Sequence, residues 1–207
     1  EDARYLYIVM ELCRGGELAR RMRRASRERL EEDEVAIIAY QMLWQLGQWH
    51  SRGFVHTDIN PLNFIFVNRD PTDLWIKALD FGLSQSLPGG GSSLGRYMLV
   101  RRRGTPVYTA PEVTAKCYDE KADLWSVGAL LFHMLLGRVP IVESSMREIY
   151  GLDKTEIYDR IRDGKLMLEG ADWESLSPEA RDFLARIIVK DPRKRLSASE
   201  ALRHPWL

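Results

Sequence analysis

The chain has 207 residues, 45% hydrophobic and 29% charged, with 30 basic residues against 30 acidic ones. That length supports one well-cored domain without forcing two, and the charge balance offers no electrostatic reason for nucleic acid, a membrane surface or a polyanion as partner. Two distant cysteines, Cys13 and Cys117, with no CxxC spacing argue against a disulfide framework and a zinc site.

In chain order, the opening EDARYLYIVME lacks a Met and a basic n-region, so no secretory signal is expected and the natural start is expected upstream. A reducing, intracellular (cytoplasmic) compartment fits this and the unpaired cysteines. Residues Leu6 to Leu12 form a short apolar run before Gly15-Gly16 and predict a strand leading into a turn. The basic stripe Arg20, Arg21, Arg23, Arg24, Arg27 and Arg29 reads as a solvated helix face, with docking of an acidic partner as the other reading. From Glu31 to Arg52, Val35, Ile38, Met42, Leu46 and Trp49 recur at spacings of three and four, which predicts an amphipathic helix. Its first turn carries Glu31, Glu32, Asp33 and Glu34, where negative charge suits the helix dipole.

Two β-like runs, 63–67 and 74–79, flank the polar turn NRDPTD and predict a hairpin. Residues 86–106 are rich in Gly and Ser and then basic, and predict a long mobile loop. Asp119 to Gly137 is apolar nearly all round and predicts the central buried helix; its apolar run, Val127 to Gly137, is about half a membrane span. Ser177-Pro178-Glu179 predicts a capped helix start, and Ser197 with Glu200 three residues later predicts another, stopped before Pro205.

Three strings carry the chemistry: HTDINPLN (56–63) after the long helix, Asp80-Phe81-Gly82 after the hairpin, and Ala110-Pro111-Glu112 after the loop. In that order they resemble the H-R-D-L-x-x-x-N, D-F-G and A-P-E strings of protein kinases. On them the chain is identified as a member of the eukaryotic-type serine/threonine protein kinase family. The resemblance implies an α+β fold: a mostly helical C-terminal kinase lobe with short β-hairpins, with residues 1–207 running from the hinge to the end of that lobe and the N-terminal lobe missing.

It also implies roles. Asp58 would take or orient the proton of the acceptor hydroxyl, Asn63 and Asp80 would hold Mg2+ against the phosphates of ATP, and Thr105 would help position the acceptor, favouring Ser or Thr over Tyr. YIVMELCRGGEL resembles the hinge, with Met10 as gatekeeper and the Glu11 carbonyl and Cys13 amide meeting adenine. Glu17 would lie near the ribose or a basic substrate residue, and Ile65 beneath the adenine ring. Asp123 would steady the catalytic loop and Arg195 would pair with Glu112. IKALDFGLS and LRHPWL look most like the calcium/calmodulin- and calcium-dependent kinases, which implies a calcium-sensing regulator outside this chain.

Three departures bear on activity. Thr57 replaces the Arg that answers a phosphorylated loop, which argues against that switch. Asn60 occupies the catalytic-loop position of a charge-neutralising Lys, whose loss costs ~3 kcal/mol or roughly a hundredfold in rate. No G-x-G-x-x-G is present, Val35-Ala36-Ile37 is followed by Ile38 rather than Lys, and Lys77 precedes D-F-G rather than the hinge. The alternative to a working kinase is therefore a pseudokinase, a scaffolding or nucleotide-sensing module; a generic helical interaction domain would require the ordered strings to be coincidence. His56 reads as a structural histidine of the loop, with general base as its other role, and nothing near Cys13 marks a reactive thiol.

Overall fold

The computed structural model describes residues 4–5, 7–87, 99, 105–115, 117–141, 149 and 151–207. Its centre is α4 (Lys121–Leu136), in which every residue after Lys121 is buried. A helix apolar all round must have neighbours all round. Gly137 ends it in the left-handed region (φ 68°), donating its N–H to the His133 carbonyl at 2.8 Å, as a glycine C-terminal cap does.

Against α4 packs α2 (Glu32–His50), through Val35, Ile38, Ala39, Met42, Leu43 and Leu46. Its acidic first turn does more than answer the dipole. Glu32 accepts hydrogen bonds from the Ser177 hydroxyl, the Ser177 amide at 3.0 Å and Trp206 Nε1 at 3.1 Å, tying α2 to the C-terminal segment. Partial burial would raise the Glu32 carboxyl pKa, but these bonds outweigh it and hold it below the usual range. Ser177 in turn caps α7 (Pro178–Ile187), accepting from the Ala180 amide at 3.0 Å. Ser197 and Glu200 close a reciprocal capping box on α8 (Ala198–Ala201). Short helices α3 (Pro111–Thr114), α5 (Lys154–Asp163) and α6 (Ala171–Glu174) complete the helical layer.

In front lies a three-stranded antiparallel sheet ordered β1 (Gly16–Glu17), β3 (Phe64–Phe66), β4 (Ile76–Ala78). The predicted hairpin is there, in the register Phe64↔Ala78. A second antiparallel pair joins β2 (Phe54–Val55) to β5 (Gln85–Ser86). Among the described residues no helix is long and apolar enough to cross a membrane.

Three local expectations fail. Tyr7 to Leu12 form no strand; Val9 is 97% exposed, and a strand needs a hydrogen-bonding neighbour that no described segment provides here. Leu6 lies outside the described residues. Gly15-Gly16 is not a free turn, because Gly16 and Glu17 pair with Phe66 and Ile65. The basic stripe is not one solvated face. Helix α1 (Leu18–Arg24) ends before Arg27, Arg21 pairs with Glu34, and Arg29 pairs with Asp172 at 2.8 Å. Of the predicted loop, 88–98 and 100–104 lie outside the described residues, while Leu99 bridges antiparallel to Tyr118.

Candidate active site

The site is built outward from a buried carboxylate. Asp123, in the first turn of α4 and 1% exposed, accepts from the His56 amide (2.8 Å), the Thr57 amide (2.8 Å) and His50 Nε2 (2.9 Å). Burial would raise its pKa, but the His50 hydrogen bond, the nearby His50 and His56 rings and the His56 amide together hold it low. These bonds keep Thr57 in a left-handed conformation (φ 65°), costly for a β-branched residue, with its hydroxyl donating to the Leu83 carbonyl at 2.7 Å. The loop is thus held at the backbone by α4 and at its side by the segment after Asp80.

His56 is 1% exposed and lies beside Trp49 and Phe81, at ring-centroid distances of 5.5 and 5.1 Å. Its Nδ1 accepts from the Asp58 amide and its Nε2 faces the Leu79 carbonyl, both at 3.3 Å, so a proton on Nε2 satisfies both. Both ring nitrogens are therefore occupied by backbone groups, one in the loop and one just before Asp80.

Asp58 is the meeting point. Its Oδ1 accepts from the Thr105 amide and the Thr105 hydroxyl, each at 2.9 Å. Its Oδ2 accepts from Asn63 Nδ2 at 3.0 Å, and the same amide donates to the Asp58 carbonyl at 2.9 Å. The Asn63 carbonyl accepts from the Leu79 amide at 2.8 Å, which ties the loop to the residue before Asp80. Asp80 has φ 54° and folds Oδ1 back onto the Gly82 amide at 2.9 Å. With its Nδ2 turned to Asp58, Asn63 keeps a side-chain oxygen for another ligand, as Asp80 keeps Oδ2. Among the described residues no three His, Cys, Asp or Glu side chains cluster as a metal cage. The Asn63 and Asp80 atoms are each a hard oxygen of the kind that magnesium, which binds by one or two protein oxygens, takes.

Asn60 does something else. It is 3% exposed; its Oδ1 caps the 3-10 turn Pro61–Asn63 by accepting from the Leu62 amide at 2.9 Å, and its Nδ2 donates to the Asp58 carbonyl at 3.1 Å. The side chain shapes the loop from inside, rather than presenting itself to a phosphate as a lysine would.

The residues expected at adenine sit on the sheet side. Arg14 and Gly15 donate to the Val67 and Phe66 carbonyls at 2.8 and 2.9 Å. That approach requires glycine at 15, because a Cβ there would lie 2.2 Å from the Asn68 carbonyl oxygen. Ile65 points away from its buried neighbours Phe64 and Phe66, by the two-residue alternation of a strand. It pairs with Lys77, whose ammonium binds the Glu11 carboxylate. Lys77 is therefore occupied by Glu11. Among the described residues neither the Glu11 carbonyl nor the Cys13 amide enters a backbone hydrogen bond, while Met10 is 68% exposed and Glu17 is exposed. The structure joins Asp58, Asn60, Asn63 and Thr105 through hydrogen bonds, and carries Glu17 and Ile65 as paired residues on β1 and β3, with β1 packed beside the turn that ends at Asn63.

Sequence reasoning missed His133. It is 5% exposed inside α4, and its Nδ1 is hydrogen-bonded to the Tyr108 hydroxyl at 2.8 Å. The available signal was one imidazole in an otherwise apolar run. Burial lowers its pKa to about 4 from the ordinary 6.5. Glu28 is the acidic neighbour, with Oε2 3.9 Å from Nε2. As pH falls through 6.5 the unfolded chain takes up a proton that the folded chain refuses until about 4. Stability is therefore full above 6.5 and declines below it, by about 3 kcal/mol at pH 4. Denaturant unfolding at pH 7 and pH 4.5 should show wild type losing more than a His133→Phe variant. Equal losses contradict this.

The protein kinase domain family matches residues 1–207. Calcium-dependent protein kinase 3 of Plasmodium yoelii yoelii is 36% identical over 206 residues, which cover 100% of this chain and 35% of that protein. Calcium-dependent protein kinase 25 of Arabidopsis thaliana is 36% identical over 207 residues, covering 100% of this chain and 36% of its own length. CDPK-related kinase 1 of the same plant is 37% identical over 212 residues, again covering 100% of this chain and 33% of its own. The chain thus spans about a third of the curated relatives it matches. The loop tied to α4 through Asp123 and the family match over every residue agree, and the chain belongs to the protein kinase family.

Proposed function

We propose that the full-length protein is a serine/threonine protein kinase, transferring the γ-phosphate of ATP to Ser or Thr hydroxyls of protein substrates. The observation that carries this is Asp58 held at both carboxylate oxygens, by Thr105 at 2.9 Å and Asn63 at 3.0 Å. A base must be aimed before it is useful. With Oδ1 anchored by two donors, the lone pairs left on the carboxylate take the proton of the acceptor hydroxyl. Asn63 and Asp80 would hold Mg2+, which when bound neutralises charge on the phosphates. The Glu11 carbonyl and Cys13 amide read the adenine edge, Ile65 lies beneath the ring, Met10 borders it and Glu17 reaches the ribose or a basic substrate residue.

In this reading residues 1–207 are the C-terminal part of the kinase domain, and a further lobe supplies the glycine-rich loop and lysine that these residues do not contain. The likeness to calcium-dependent kinases supports a calcium-sensing regulator outside the chain and an intracellular setting. One observation favours a second reading, a pseudokinase: Asn60 is a buried cap, so the loop offers no cation at that position.

Incubating the full-length protein with labelled ATP, magnesium and matched peptides bearing Ser, Thr or Tyr tests the proposal. Label on Ser and Thr peptides but not on Tyr is expected. Label on Tyr alone would overturn the acceptor assignment, and nucleotide binding without any transfer would favour the pseudokinase.

A further inference from the structure

Helix α1 and the turn between β3 and β4 enclose a cleft of about 240 Å³, lined by Arg20, Arg21, Arg24 and Arg69 with Phe66 and Pro71. One of these arginines builds the wall. Arg21 pairs with Glu34, donates to the Pro71 carbonyl at 2.9 Å and lies 5.0 Å from the centre of the Phe66 ring, which fastens the turn to α1. The turn is also held from within: Asn68 Nδ2 donates to Asp73 at 2.7 Å, and Asp70 Oδ1 accepts from the Thr72 amide and hydroxyl at 2.9 and 2.7 Å. Arg69 is thus presented on a fixed backbone. Arg20 lies back over Gly16, where a Cβ would meet its Cδ and Nη1 at 3.7 and 3.8 Å. Arg20, Arg24 and Arg69 are exposed, and among the described residues their side chains have no hydrogen-bond or ion-pair partner. Cations gathered in one cleft without a counter-charge repel one another, so an anion placed among them is stabilised.

We propose that this cleft docks a phosphorylated Ser or Thr residue of a partner protein, held by Arg20, Arg24 and Arg69. A phosphate monoester brings close to two negative charges at neutral pH and three terminal oxygens. Guanidinium forks match such oxygens two at a time. A carboxylate side chain brings one charge and two oxygens to the same three cations. Glu17 and Asp70 also line the cleft, and they argue against a broader anion. A lipid surface or a nucleic-acid backbone would press its own charges against both carboxylates, whereas one phosphate sits among the guanidiniums. Pro71, exposed beside the arginines, offers apolar surface to residues flanking the phosphate, which a free inorganic ion would leave unused. Asp58, Asn63, Asp80 and Thr105 do not line the cleft, so docking there leaves the catalytic loop free and does not depend on the phosphotransfer reading.

The test is fluorescence anisotropy with labelled short peptides and no ATP. A pool with central phosphoserine and random flanks is compared with pools carrying Ser or Glu at the centre. Each is presented to full-length wild type and to the triple variant Arg20→Gln, Arg24→Gln, Arg69→Gln. Arg23→Gln, on α1 but outside the cleft, controls for general charge. Wild type and Arg23→Gln should bind the phosphoserine pool about tenfold tighter than the Ser pool, the worth of one charge-assisted hydrogen bond. The triple variant should melt with wild type and lose that preference. Should it fail to fold, the three single Gln variants replace it, each losing part of the preference. Arg24→Lys, which keeps the charge and loses the fork, should weaken binding of the phosphoserine pool. Equal binding of the phosphoserine and Ser pools overturns the inference. So does a preference that survives in the cleft variants, or one that falls equally in Arg23→Gln. A Glu pool that binds as tightly as phosphoserine overturns the phosphate assignment. Inorganic phosphate that competes on equal terms with the phosphoserine pool, or vesicles of phosphatidylserine and phosphatidylcholine that bind where the pools do not, overturns the protein partner.

Discussion

Replacing Arg195 by Met in the full-length protein is expected to cost about 3–5 kcal/mol of stability, lowering the melting temperature of this domain by roughly 10 °C. The side chain is fully buried (0% exposed) and meets the 10%-exposed Glu112 through two bonds, at 2.5 and 3.0 Å. Its other donors reach the Val189 carbonyl at 2.9 and 3.0 Å and the Lys121 carbonyl at 2.5 Å, and the guanidinium lies 5.3 Å from the Trp125 ring. One planar fork thus joins α3, the start of α4 and the segment after α7. Methionine fills much of the volume but strands a buried carboxylate and two carbonyls. Breaking one half of such a pair is worse than removing both. Glu112→Leu combined with Arg195→Met should therefore lose less than Arg195→Met alone. A melt of Arg195→Met within 2 °C of wild type would show that the pair does not hold these elements together.

The sequence made the helical frame legible where one residue type had one physical use. The three-and-four spacing from Val35 to Leu46 became the buried face of α2, and the all-round apolar stretch became α4. Ser177 and Ser197 cap as their neighbours required. The motif order placed Asp58, Asn63 and Thr105 near one another, and the hydrogen bonds bring them into contact. What was not legible depended on partners distant in sequence. The apolar run before Cys13 satisfies every local rule for a strand, yet strand pairing is not a local property, and its described residues join no strand. Asn60 read as a lost charge; only the loop geometry shows that its amide caps the turn and braces the Asp58 carbonyl. Arg21 and Arg29 read as solvated, but their carboxylate partners are Glu34 and Asp172, the latter more than a hundred residues from Arg29. His133 was hidden because a lone histidine in an apolar helix is usually core, and its bond to Tyr108 appears only in three dimensions.

The central claim is that Asp58 works as a base rather than surviving as scaffolding. Asp58→Asn changes little in volume, and Oδ1 can still accept from Thr105. The new NH2 would then face the Asn63 amide donor now bonded to Oδ2 at 3.0 Å, and no group would remain that can take a proton. The rate should fall by roughly a thousandfold, the middle of what general-base catalysis contributes, with little change in nucleotide affinity or melting temperature. The deciding measurement is the transfer of labelled phosphate from ATP to a basic Ser/Thr peptide by full-length wild type and Asp58→Asn, with magnesium present. Transfer by wild type that all but vanishes in a stably folded Asp58→Asn protein is the predicted result. Transfer of equal rate in both, or in neither, would contradict it.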